Sequence, residues 1–274
     1  MTEQNQNVQE IALMKKLWPM YTLIGFFSMA FSGIYILVVP LSSLFWPEDP
    51  FHALEMGILI TSLLWGVSIS GIIFSRIIDN YRINRMKILL MVAIMRGFCM
   101  IMLSFTVEGQ GITTWWYFYA FTVLFSLFGG GNFPNVASIA HDIVPKSQRS
   151  RFFGIHSIFR MIFQLVGFII SGLFVELGFW RLFFLLTGLA LILSGIGTFT
   201  KISEPKRGAQ RQELRSALKD DSVEYEYQID KEMMKKTMLS KTNLVALVEG
   251  IFTSVFLGSL TILVLPYIQT PPHN

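Results

Sequence analysis

The chain has 274 residues, of which 53% are hydrophobic and 15% charged, against roughly 25% charge in an average soluble domain. Its 22 Lys and Arg outnumber its 18 Asp and Glu, giving a formal net charge of +4, and its one cysteine, Cys99, leaves no pair for a disulfide or a thiolate metal site. A soluble chain of this length cannot hide so much apolar surface, and the apolar residues fall in runs rather than on periodic faces, which argues against a soluble domain.

The runs are long enough to cross a bilayer, whose hydrocarbon core takes about twenty apolar residues in a helix. In chain order they cover 18–45, 56–78, 88–107, 115–140, 152–175, 180–200 and 243–268. The first follows Lys15 and Lys16 but is too long for the apolar core of a signal peptide and lacks a small-residue cleavage site, so it is read as a span behind an N-terminal segment, 1–17. Residues 201–241 form a long polar, mixed-charge linker. Within it, 209–218 has the pattern of a short surface helix, while Val223, Tyr225, Tyr227 and Ile229 alternate with polar residues as in a strand. The predicted fold is all-α and integral to the membrane: a six-helix bundle over 18–200, the linker, a seventh transmembrane helix over 242–268, and a short outer end, 269–274.

Lys and Arg in short loops set the orientation of such a chain. Lys15, Lys16, Arg76, Arg82, Arg85, Lys87, Lys146, Arg149 and Arg151 fall with the basic residues of 201–241 on one set of bends. The opposite bends, 47–55, 108–114 and 176–178, carry acids and no Lys or Arg, with Arg181 the one base near them. The N-terminus and linker are therefore expected in the cytoplasm of a multi-pass cell-membrane protein, and the last residues of this piece on the outer side. Trp46, Trp115, Trp116 and Trp180 fall at predicted outer ends, where amphipathic rings prefer to lie. The positive charge follows from this topology, and no nucleic-acid partner is read from it.

Ile36-Leu37-Val38-Val39-Pro40 in the first run is echoed by Ile262-Leu263-Val264-Leu265-Pro266 in the seventh, as if the seventh restarted the pattern of the first. After the second run comes Ser75-Arg76-Ile77-Ile78-Asp79-Asn80-Tyr81-Arg82-Ile83-Asn84-Arg85. The fourth carries Gly129-Gly130-Gly131-Asn132-Phe133-Pro134-Asn135, then His141-Asp142-Ile143-Val144-Pro145 and Arg149-Ser150-Arg151-Phe152-Phe153-Gly154. The sixth opens on Gly178-Phe179-Trp180-Arg181-Leu182-Phe183-Phe184 and is followed by Glu204-Pro205-Lys206-Arg207-Gly208. In this order the stretches resemble the major facilitator superfamily, the last of them its Spinster-like and some archaeal members. The resemblance implies a secondary active transporter of two six-helix halves around a cavity opened alternately to either side. It also implies no enzymatic chemistry, no cofactor, and as partners a small-molecule solute, the lipid bilayer and the missing C-terminal helices of the same protein. Asp79, Arg82, Arg85, Asp142 and Arg149 are the candidates for a conformational latch, since an acid at a helix end pairs with nearby Arg and with a neighbouring helix dipole. The Arg that many proton-coupled members carry just before the glycines is absent, Phe125 and Ser126 standing there.

Ionisable groups at bilayer depth are costly and are functional candidates by default. His156, Arg160 and Gln164 recur every four residues along the fifth run, and Arg160 is the candidate contact for an anionic or polar substrate, a structural or snorkelling Arg being the alternative. Arg96 lies midway along the third run, where a structural or interfacial role is expected. Glu249, in the seventh, is the candidate proton or cation coupling site. Tyr21, Ser28 and Tyr35 on the first run and Asn132 and Asn135 on the fourth are candidate cavity liners by the resemblance, since those two helices line the cavity in family members, interhelical hydrogen bonding being the equally good plain reading. A seven-helix receptor or retinal protein is the rival class, but its N-terminus would lie outside and 245–268 holds no Lys for a Schiff base. A non-catalytic membrane interaction protein is a further alternative. A membrane enzyme is disfavoured because no metal spacing, nucleophile elbow or phosphate loop is found.

Overall fold

A computed structural model describes residues 3–49, 52–80 and 83–207 and, beyond these, 232, 235–236, 239–245, 248–249 and 252–253. The elements it defines are all helical: α1 Glu3–Phe45, α2 Ala53–Asn80, α3 Arg85–Ser104, α4 Ile112–Gly129, α5 Asn132–Ile143, α6 Arg149–Glu176 and α7 Trp180–Lys201, with a 3-10 turn at Lys146–Gln148 before α6. The chain divides into two compact units, Met1–Val223 and Glu224–Asn274.

Six stretches among the described residues are long and apolar enough to cross a membrane: Lys15–Leu37, Ala53–Ile78, Arg85–Ser104, Ile112–Ile143, Lys146–Glu176 and Trp180–Lys201. They coincide with the first six runs of the sequence. Two differences are informative. Helix α1 begins at Glu3, so residues 3–17 run into the first span as one helix. The fourth run is two helices, because α4 ends at Gly129 and α5 starts at Asn132. The patterns at 209–218 and 223–229 and most of 242–268 lie outside the described residues; within the last range 242–245, 248–249 and 252–253 are helical.

The first unit is built by pairing α1 with α6 and α7, α3 with α7 and α4, and α2 with α4. Its interior is aromatic: the Phe118 ring lies 5.4 Å from Phe45 and 5.8 Å from Phe184, and Phe183 lies 5.7 Å from Phe184. All four are essentially sealed from the surface. Contacts between helices are also set by small residues. Ser126 Oγ of α4 donates to the Leu63 carbonyl of α2 at 2.7 Å, and a methyl placed on Gly130 would meet Ser70 and the Gly71 nitrogen, so these backbones approach as closely as helices in a membrane do. Thr198 of α7 donates to the carbonyl of Pro19 in α1 at 2.9 Å.

Two ends of the unit are distinguished by their bends. At one end lie the acidic bends: Gly109 and Gly111, both with positive φ, bring their N–H groups to the Leu44 and Phe45 carbonyls at 2.9 Å. There Glu108 takes up Arg181 at 3.2 Å and accepts from Trp180 Nε1 at 3.1 Å, so the lone base near that end is locally neutralised. The basic bends gather at the other end.

Candidate functional site

At the basic end the side chain of Arg85 is 1% exposed, although it is the first residue of α3. A buried guanidinium demands partners on most of its donors, and this one has them. Nη1 donates to Asp142 Oδ2 at 2.6 Å and to Ser138 Oγ at 2.7 Å, Nε to Glu204 Oε1 at 2.7 Å, and Nη2 to the Pro205 carbonyl at 3.0 Å. The second oxygen of Glu204 accepts from the Met86 N–H at 3.0 Å, at the N-terminus of α3, where an acid satisfies an otherwise orphaned donor and complements the helix dipole. Asn84 caps the same helix by accepting from Lys87 N at 2.9 Å. Arg207 then reaches back to the carbonyls of Ile78 and Ile83, at 3.2 and 3.1 Å. One cation thus joins α3, α5 and the segment after α7, and that segment is also tied to the bend between α2 and α3.

Of the five latch candidates, Arg85 and Asp142 are brought together. Arg149 lies close by in sequence but serves differently: its Nη2 donates to the His141 carbonyl at 2.9 Å and its Nε to the Val144 carbonyl at 3.3 Å, bracing the turn between α5 and α6. Asp79 belongs to α2, with its side chain outside the described residues, as is all of Arg82. Glu204 was legible as a motif residue but not as a partner of Arg85. The signal was there, because it is the lone acid between Glu176 and Glu213, just past the end of a span.

The polar residues inside the membrane are dispersed. On α6, His156 is buried against Phe152, Gln164 is half-buried and Arg160 is exposed, facing out of the unit. Tyr35 is half-buried and stacks on Phe31 at 6.2 Å between centroids. Asn135 is buried and donates through Nδ2 to the Gly131 carbonyl at 2.6 Å, holding the start of α5 at the glycine break, while its Oδ1 and that of Asn132 are buried without a partner. Glu249 is helical and exposed within the second unit.

Arg96, for which a structural or interfacial role is expected from the sequence, is packed inside the unit between two helices. It is 4% exposed, its Cζ lies 4.7 Å from the ring centre of Phe27 on α1 and 3.9 Å from that of Phe125 on α4, and its Nε is buried with no hydrogen-bond partner. Cation–π contact with two rings offsets part of the desolvation, about 2 kcal/mol or more for each when water is excluded.

The architecture and the comparisons converge. The sequence profile of the Major Facilitator Superfamily matches residues 16–271. A benzoate transport protein from Acinetobacter baylyi is 25% identical over 163 residues, which cover 58% of this chain and 33% of that protein. Among solved structures, a bacterial homologue of the human lysosomal transporter Spinster superposes in two forms. The inward-facing unoccupied form gives a TM-score of 0.61 at 17% identity, over 72% of this chain and 44% of the other. The inward-facing occupied form gives 0.56 at 17%, over 78% and 48%. The chain therefore spans about a third of the curated relative and under half of the solved ones. With a profile match over nearly its whole length and six apolar spans arranged as one bundle, this multi-pass membrane protein belongs to the Major Facilitator Superfamily.

Proposed function

We propose that this chain supplies six membrane spans of a secondary transporter that moves a small solute by alternating access. The observation that carries the reading is the Arg85 cluster, a polar clamp around a buried guanidinium joining α3, α5 and the segment after α7 at one end of the bundle. A clamp whose partners sit on separate elements has a made and a broken state, and a solute that favours one of them shifts the balance. Its core is Arg85, Asp142 and Glu204, with Arg149 as a brace; Asp79 and Arg82 are assigned to the same latch from the sequence motif. The basic end faces the cytoplasm, 201–241 is a cytoplasmic linker, and 242–268 begins a second bundle. Arg160 and Gln164 on the outward face of α6 then meet the solute, with Tyr35, Asn132 and Asn135 lining the cavity, and Glu249 couples transport to a proton or cation.

The Acinetobacter relative is named for benzoate transport, which supports benzoate as the first solute to test. Cells producing this chain together with the C-terminal helices that complete the second bundle are expected to take up labelled benzoate above a vector control. Arg85→Gln and Arg160→Gln are expected to abolish uptake without lowering membrane insertion, and Glu249→Gln to flatten its pH dependence. Failure to move benzoate and every member of a panel of organic acids, sugars, amino acids and drugs would remove the transporter reading.

A further inference from the structure

We infer that Arg96 is a carboxylate-recognition point shut inside the six-helix unit, and that it selects small organic monocarboxylates with an apolar body. The inference rests on the transporter reading and deepens it. Arg96 stands eleven residues from the start of α3 and eight from its end, near mid-depth of a helix about 30 Å long. Every acid between residues 11 and 203 falls at or beyond the end of a span, so none shares that depth. The guanidinium forms no hydrogen bond among the described residues, and its Nε is sealed without a partner. What holds it is the pair of rings, Phe27 and Phe125, each lying against the cation.

A guanidinium held through aromatic faces keeps its in-plane N–H donors unspent, and in that plane it pairs with a carboxylate through two parallel hydrogen bonds. Thr122, one turn before Phe125 on α4, has a buried hydroxyl with no partner, a further donor on the same helix face. The break at Gly129–Gly131 adjoins the cation, a methyl on Gly129 lying 3.5 Å from the Arg96 Cζ, and bending of α4 against α5 there is the proposed route of entry.

The test uses the purified chain in detergent, with phenylacetate as probe, its neutral amide and chloride as controls, and the thermal unfolding midpoint as readout. Phenylacetate is expected to raise the midpoint of the native chain, whereas phenylacetamide and chloride leave it unchanged. Arg96→Gln removes a buried unpaired charge, so it is expected to stay folded and lose the protection; Arg96→Lys, a point charge without the fork, is expected to need about tenfold more phenylacetate. Phe125→Leu keeps the cation and is expected to weaken protection severalfold, which serves if Arg96→Gln fails to fold. Equal protection of Arg96→Gln, equal protection by chloride, or no protection of the native chain at millimolar phenylacetate overturns the inference. Protection by neutral solutes alone would overturn it while leaving the transporter reading in place, whereas loss of all uptake in cells strikes the reading beneath it.

Discussion

Arg85 shows how one side chain can fasten several elements. Its two carboxylate partners, Asp142 and Glu204, are 13% and 24% exposed, so deleting the cation leaves two partly buried acids facing one another. Breaking such a cluster from one side typically costs about 3–5 kcal/mol. Arg85→Gln is therefore expected to lower the unfolding midpoint of the purified chain sharply. Arg149→Gln, which loses only hydrogen bonds to two carbonyls, is expected to cost about 1 kcal/mol. Adding Asp142→Asn and Glu204→Gln to the Arg85 variant is expected to recover part of the loss, because the uncompensated charges go with the cation. A triple variant as unstable as Arg85→Gln alone would show that packing, not charge, holds this end. The residue types were readable: bases on one set of bends and Asp142 among them. The partnership with Glu204, well over a hundred residues along the chain, was not, since sequence records no distance between bends.

At the scale of elements, the fourth span is decided by three glycines. The apolar run over 115–140 reads as one helix because hydropathy carries no record of a break. The chain instead ends α4 at Gly129 and restarts at Asn132, where Pro134 has no N–H to bond the Gly130 carbonyl, and Gly130 lies against Ser70 and Gly71 of α2 with no room for a side chain. Gly130→Ala is expected to force α2 and α4 apart and to cost roughly 1–3 kcal/mol, the usual penalty of overpacking. Gly71→Ala, whose added methyl would sit 3.7 Å from the Gly130 carbonyl, is an ordinary contact and is expected to be nearly neutral. Thermal unfolding of the two variants in the same detergent distinguishes them, and equal midpoints would reject the close crossing as the cause.

For the whole molecule, the sharpest expectation is the sidedness of the bends. Cys99 is the sole cysteine and is buried, so a Cys99→Ala background suits single-cysteine labelling. Cysteines replacing Glu48 and Gln110 at the acidic end are expected to react with a membrane-impermeant maleimide from outside intact cells. Cysteines replacing Ser147 and Lys206 at the basic end are expected to react only after permeabilisation. Labelling of the basic pair from outside, with the acidic pair reacting only after permeabilisation, would reverse the assignment of inside and outside, and labelling of both pairs from one side would overturn the two-ended arrangement of the bends.

The sequence by itself determined that the chain lies in a membrane, how many spans its first 207 residues contain and how the charges divide between bends. Those properties follow from run length and composition, which are local and additive along the chain. Only the tertiary structure decided which groups are partners. It sealed Arg85 between Asp142 and Glu204, turned Arg160 outward, and set Arg96 between Phe27 and Phe125. In a helix bundle a side chain's neighbours come from other helices, and the direction in which each helix turns its face is fixed by packing among all of them, not by any segment read alone.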